Sequence, residues 1–164
     1  MYAVLIMSYL INEEDCSRTP AIEQDFHYLI FFLGKCIRTK EHQFKEIKLL
    51  EILKCLSNYL SISIRIAELL DEFGLLILLE ETLFQGITLP AEKIIVVESL
   101  WKLSHVPKLY YKLASNSRII KSMIFIFIEK IGISLFYKYF EDFKINRQTF
   151  KFKFFIQYRG EVTS

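Results

Sequence analysis

The three histidines and three cysteines of this chain are the side chains best equipped for chemistry. A metal-binding pair on one helix face needs a spacing such as HxxxH or HExxH. His27, His42 and His105 offer no such pair. His27 falls inside an apolar run, where a histidine at the edge of a core is expected, and His105 follows Ser104 at an expected helix end, where it would serve the turn. A reactive cysteine needs a cationic or basic neighbour to form its thiolate. Cys16 sits in the polar stretch Asn12 to Pro20 with no histidine near it in sequence, so an inert loop thiol is expected there. Cys16, Cys36 and Cys55 form no CxxC pair and are odd in number, which argues against a disulfide scaffold and fits a reducing compartment. The glycines, Gly34, Gly74, Gly86, Gly132 and Gly160, are too dispersed to cradle a phosphate, and no GxSxG, GxGxxG or Walker-type loop is present. The chain is therefore expected to be no enzyme and to need no metal, cofactor or small-molecule substrate.

What remains is the scaffold that would present a surface. Hydrophobic residues make up 52% of the 164, enough for a sizeable core. With only 5 glycines and 3 prolines, long helices are favoured over a turn-rich β fold. The formal charge is +2, so no global field draws the chain to nucleic acid or to an anionic membrane. Met1 to Asn12 is apolar but lacks a basic leader and a small-residue cleavage site, which argues against a signal peptide. Ile119 to Phe136 is the greasiest stretch, yet Lys121, Glu129 and Lys130 interrupt it, so a helix buried in protein is expected. An intracellular, most simply cytoplasmic, location follows as an expectation.

A repeat runs through the chain. Leu53, Leu56 and Ser57 return 47 residues later as Leu100, Leu103 and Ser104. Holding that offset, Leu49 falls on Val96, Glu51 on Glu98, Ile66 on Leu113 and Ala67 on Ala114. Asp25-Phe26 precedes Glu72-Phe73 by the same interval, and Met7-Ser8 resembles Leu56-Ser57 at an offset of 49. Each copy reads as three helices. In the first clear copy these run from Lys45 to Asn58, around Ser63 to Leu70, and from Phe73 to about Phe84. In the next, Pro90 and Pro107 open helices, and Asn116 and Ser117 cap one running from Arg118 to about Ile131. A helix apolar almost all round, such as that from Phe73, must be covered on both sides, and stacking of neighbouring copies would do this.

Ser99-Leu100-Trp101-Lys102-Leu103-Ser104 resembles the end of the third helix of an armadillo repeat, commonly written A-L-W-N-L-S, and Ile52-Leu53-Lys54-Cys55-Leu56-Ser57 is a weaker version. The resemblance, to the armadillo/HEAT-like helical repeats with the subtype open, covers roughly residues 1 to 140 and implies an all-α, right-handed α-solenoid of about three partial repeats, each of roughly 47 residues. It also implies a protein-protein scaffold or adaptor that works through the concave face of stacked helices. In peptide-binding members an asparagine just before the Leu-Ser pair lines that face. Here Cys55 and Lys102 stand in its place, so the asparagine ladder is absent from both copies. Glu51 and Glu98, one turn earlier, would face the same side and suit a basic partner. With Lys48 they complete the expected contact set: Lys48, Glu51, Cys55, Glu98 and Lys102. Trp101 is expected in the core.

Residues 141–164 break the pattern. Phe150-Lys151-Phe152-Lys153-Phe154 alternates apolar and basic at strand spacing, which suits an atypical cap or a disordered basic-aromatic tail. Weak contact of that tail with nucleic acid or a membrane is a lesser alternative, as is assembly into a larger complex through apolar helices around Ile124 to Ile128. The ends read as if cut from a longer repeat array.

Overall fold

The computed structural model describes residues 2–12, 14, 22–85 and 88–131, with side chains as far as residue 126. The chain divides into two units, Met1–Ser115 and Asn116–Ser164. The expected boundary at residue 140 and the basic-aromatic tail lie outside the described residues.

Among its described residues, the first unit is helical apart from one small hairpin and the connecting turns. Its elements are α1 (Tyr2–Met7), α2 (Ile22–Ile37), β1 (Gln43–Phe44), β2 (Ile47–Lys48), α3 (Leu49–Leu60), α4 (Ile64–Glu72), α5 (Leu75–Phe84), α6 (Pro90–Ser104) and α7 (Pro107–Ser115). The second unit contributes α8 (Ser117–Ile131), whose start is fixed by Asn116 Oδ1 accepting the Ile119 N–H at 3.1 Å. The fold is thus overwhelmingly α-helical.

Local chemistry explains the boundaries. Ser63 caps α4 through its hydroxyl, which accepts from Ile66 N at 3.3 Å. Gly74, at φ +91°, turns the chain between α4 and α5, a left-handed conformation that suits glycine. Pro90 and Pro107 occupy first helical turns, where their missing N–H costs nothing.

Helices that the 47-residue sequence offset brings into register pack on one another. α6 lies along α3, the most extensive helix contact among the described residues; α1 also touches α3, and α5 touches α2. The short helices α4 and α7 are tied by Lys108–Glu68 and Lys112–Asp71, at 2.9 and 3.3 Å. Glu68 beside Lys108 raises that lysine's pKa. The buried sets repeat as well. Leu29, Ile30, Leu33, Cys36 and Ile37 of α2 match Leu75, Leu76, Leu79, Thr82 and Leu83 of α5. Leu49, Leu53 and Leu56 of α3 match Val96, Leu100 and Leu103 of α6, all without exposed surface.

Two details differ from the sequence expectation. The helix expected from Lys45 begins only at Leu49, because residues 43–48 form the β1–β2 hairpin, with Gln43 opposite Lys48 and Phe44 opposite Ile47. The single offset of 47 also does not hold throughout: the buried sets of α2 and α5 lie 46 residues apart, and beyond Ser57 the interval shortens further. Ile66, Ala67 and Leu70 of α4 correspond in burial to Leu109, Tyr110 and Leu113 of α7, an offset of 43. The cause is an extra turn: α3 continues to Leu60 and buries Tyr59 and Leu60, whereas α6 stops at Ser104.

Candidate functional site

The positions implied by the repeat lie on α3 and α6, and the structure sorts them into two pairs and a buried thiol. Lys48 ends β2 with extended backbone, and its N–H donates to Glu51 Oε2 at 2.8 Å. The Glu51 carboxylate thereby closes the start of α3, and both side chains are exposed. Glu98 and Lys102 form an i,i+4 ion pair at 2.7 Å, with Glu98 half exposed and Lys102 at 23%.

Cys55 is not on the exposed face. It is 1% exposed, and its Sγ donates to Val4 O of α1 at 3.8 Å. Burial pushes the thiol up to about 11, against a hydrogen bond from Ser8 that works the other way. Lys102 occupies the equivalent place in the next copy. Its Nζ donates to Ser57 O at 2.9 Å and to Ser57 Oγ at 2.7 Å, while the Ser57 hydroxyl donates to Glu98 Oε1 at 3.1 Å. The residue before each Leu-Ser pair therefore reaches back to the preceding helix of its own rank: Cys55 to Val4, Lys102 to Ser57. A serine beside a lysine has the composition of a nucleophile and its base. Here all three Lys102 N–H donors point at oxygens, so the group is a tie between helices.

What these helices leave exposed is Glu51 and Lys54 on α3, and Pro90, Ala91, Ile94 and Glu98 on α6, with His105 exposed just past its end. Trp101, expected in the core, is only partly covered; its ring meets the His105 ring edge-on at 5.3 Å, and its carbonyl contacts His105 Nδ1 at 2.9 Å. The helix places Trp101 on the flank shared with Glu98, not on the Leu100–Leu103 flank that packs. Asn58, one turn beyond Lys54 and two beyond Glu51, has a buried Nδ2 with no partner among the described residues. Of the apolar stretch Ile124 to Ile128, Phe125 is 68% exposed, while the side chains of Phe127 and Ile128 lie outside the described residues.

Sequence reading missed one arrangement altogether. His42 and Glu92 are 5% and 3% exposed, and His42 Nδ1 meets Glu92 Oε2 at 2.8 Å. Glu92 Oε2 also accepts the Leu89 N–H at 2.9 Å, capping α6. His42 Nε2 is buried without a partner among the described residues. The only sequence signal was Glu92 three residues past Leu89, a capping spacing. Nothing local announces a partner 50 residues away.

Among the described residues no group of three or more His, Cys, Asp or Glu side chains could hold a metal ion, and no helix is long and apolar enough to cross a membrane. No family model, curated protein or solved structure matches this chain.

Proposed function

We propose that this chain is a non-catalytic protein-protein scaffold, an armadillo-like stack that holds a partner on the face built by α3 and α6. The observation that carries this reading is the repeated back-contact, Cys55 to Val4 and Lys102 to Ser57, which sets helices of one rank side by side. Such a row forms an extended surface without loops. Glu51 and Glu98 give that surface exposed carboxylates, and a basic segment of a partner protein fits them. Trp101 adds an aromatic of the kind that anchors binding hot spots. Cys55, being buried, is left out of the contact set, whereas Lys48, Glu51, Glu98 and Lys102 stay in it.

The test is affinity capture with the full chain beside Glu51→Lys/Glu98→Lys and, separately, Trp101→Ala, each first checked for an unchanged melting curve. A partner held by the parent and lost by the folded variants supports the proposal. Equal capture by all three refutes this face as the binding surface.

A further inference from the structure

A second surface lies on α2 and the hairpin, apart from the α3–α6 face. Phe31 is 52% exposed, Tyr28 is 50% exposed, and Phe32 and Phe44 are partly so. Phe32 and Phe44 meet edge-on at 5.3 Å, Phe31 and Phe44 at 6.3 Å, and Phe31 and Phe32 at 5.8 Å. Lys35 Nζ sits 5.2 Å from the Phe31 ring and Lys45 Nζ 5.6 Å from the Phe44 ring.

The backbone that presents Phe44 and Lys45 is costly. His42, Lys45 and Glu46 all have positive φ, at 51°, 48° and 67°, where glycine or asparagine is the usual occupant. Several bonds hold it there. Thr39 Oγ1 donates to Gln43 O and accepts from Gln43 N, Cys36 Sγ donates to Ile47 O, and the buried His42–Glu92 pair pins the segment to α6. Strained backbone kept in place by so many contacts is a common mark of a working surface.

The charge around it is one-sided. Between residues 35 and 46 four exposed lysines and arginines face two exposed glutamates, Glu41 and Glu46, so this end of α2 is basic although the whole chain is nearly neutral. The three rings stand edge-on to one another and make one clustered apolar surface. A surface of exposed rings flanked by long cations suits a fluid partner that needs no complementary shape. We infer that the α2–hairpin ledge docks on an anionic phospholipid membrane, with Phe31 and Phe44 entering the interface and Lys35 and Lys45 reaching the phosphates. The chain-wide balance of charge argued against a membrane partner; the local arrangement supplies what the sum conceals.

The experiment is sedimentation of the full chain with phosphatidylcholine vesicles that contain or lack phosphatidylserine, across a salt titration. The parent is expected to bind the phosphatidylserine vesicles alone and to be released by salt. Phe31→Ser and Lys35→Glu/Lys45→Glu, all at exposed positions, should each weaken binding at least about tenfold. If the double variant melts early, Lys45→Gln with the parent's salt dependence carries the same test. Failure of the parent to bind, equal binding to vesicles of both kinds, or binding indifferent to the variants overturns the inference. So does retention on polyuridylate or polyglutamate without vesicle binding, which would make the ledge a site for another macromolecule. None of these outcomes bears on the α3–α6 face, because its residues are unchanged.

Discussion

Glu92 has two obligations, to the Leu89 N–H and to the buried His42 ring, so its removal uncaps α6 and leaves the buried His42 Nδ1 without its partner. Glu92→Ala should lower stability by about 3 kcal/mol, read as a shift in the chemical denaturation midpoint. An unchanged midpoint would mean the pair contributes nothing. The two buried thiols give a second check. Burial raises Cys36 and Cys55 from 9.0 to about 11, with backbone at Phe44 opposing this for Cys36 and Ser8 for Cys55. Between those values the unfolded chain has lost a proton that the folded chain keeps, so stability falls as pH rises from about 9 toward 11. At neutral pH both thiols should resist alkylation until the chain is unfolded, and rapid labelling of the native protein at either position would contradict their burial. Cys55 shows where residue-level reading stops. Its place before a Leu-Ser pair was legible in the sequence, but its burial depends on α1, which lies 51 residues away.

Helix starts and stops were largely written locally. Pro90, Pro107, Ser63 and Asn116 each mark a beginning by a mechanism that needs no tertiary partner. The β1–β2 hairpin was not legible, because apolar spacing runs unbroken from Leu49 back to Ile47 and the two left-handed residues, Lys45 and Glu46, are not turn formers by type. Contacts from Cys36 of α2, from Thr39 just beyond it and from Glu92 of α6 hold that turn. α2 also carries Gly34 in its interior, facing Leu78, where an added Cβ would stand 3.7 Å away, an ordinary contact. Gly34→Ala should therefore stabilise the chain by about 0.5–1 kcal/mol through helix propensity, measured by thermal or urea unfolding. Destabilisation would show that α2 and α5 pack closer than this.

At the scale of the whole molecule α3 and α6 pack against each other, and each carries leucines with no exposed surface. Leu56→Asp and Leu103→Asp each place an unpaired carboxylate at a site with no exposed surface, and each should abolish cooperative unfolding near the parent's midpoint. Melting like the parent would refute the pairing of α3 with α6. The change of offset from 47 to 43 has a further consequence for how such a chain tolerates gain or loss of residues. Four residues are close to one turn of 3.6, so lengthening α3 past Ser57 leaves Tyr59 and Leu60 on a flank that can still be buried, and α4 resumes with its apolar side inward. Two residues would rotate everything that follows by roughly 200°. Length changes at these helix ends are thus quantised by phase. Four alanines inserted after Ser104 should be accepted with a modest loss of stability, whereas two should turn Leu109 and Leu113 toward water.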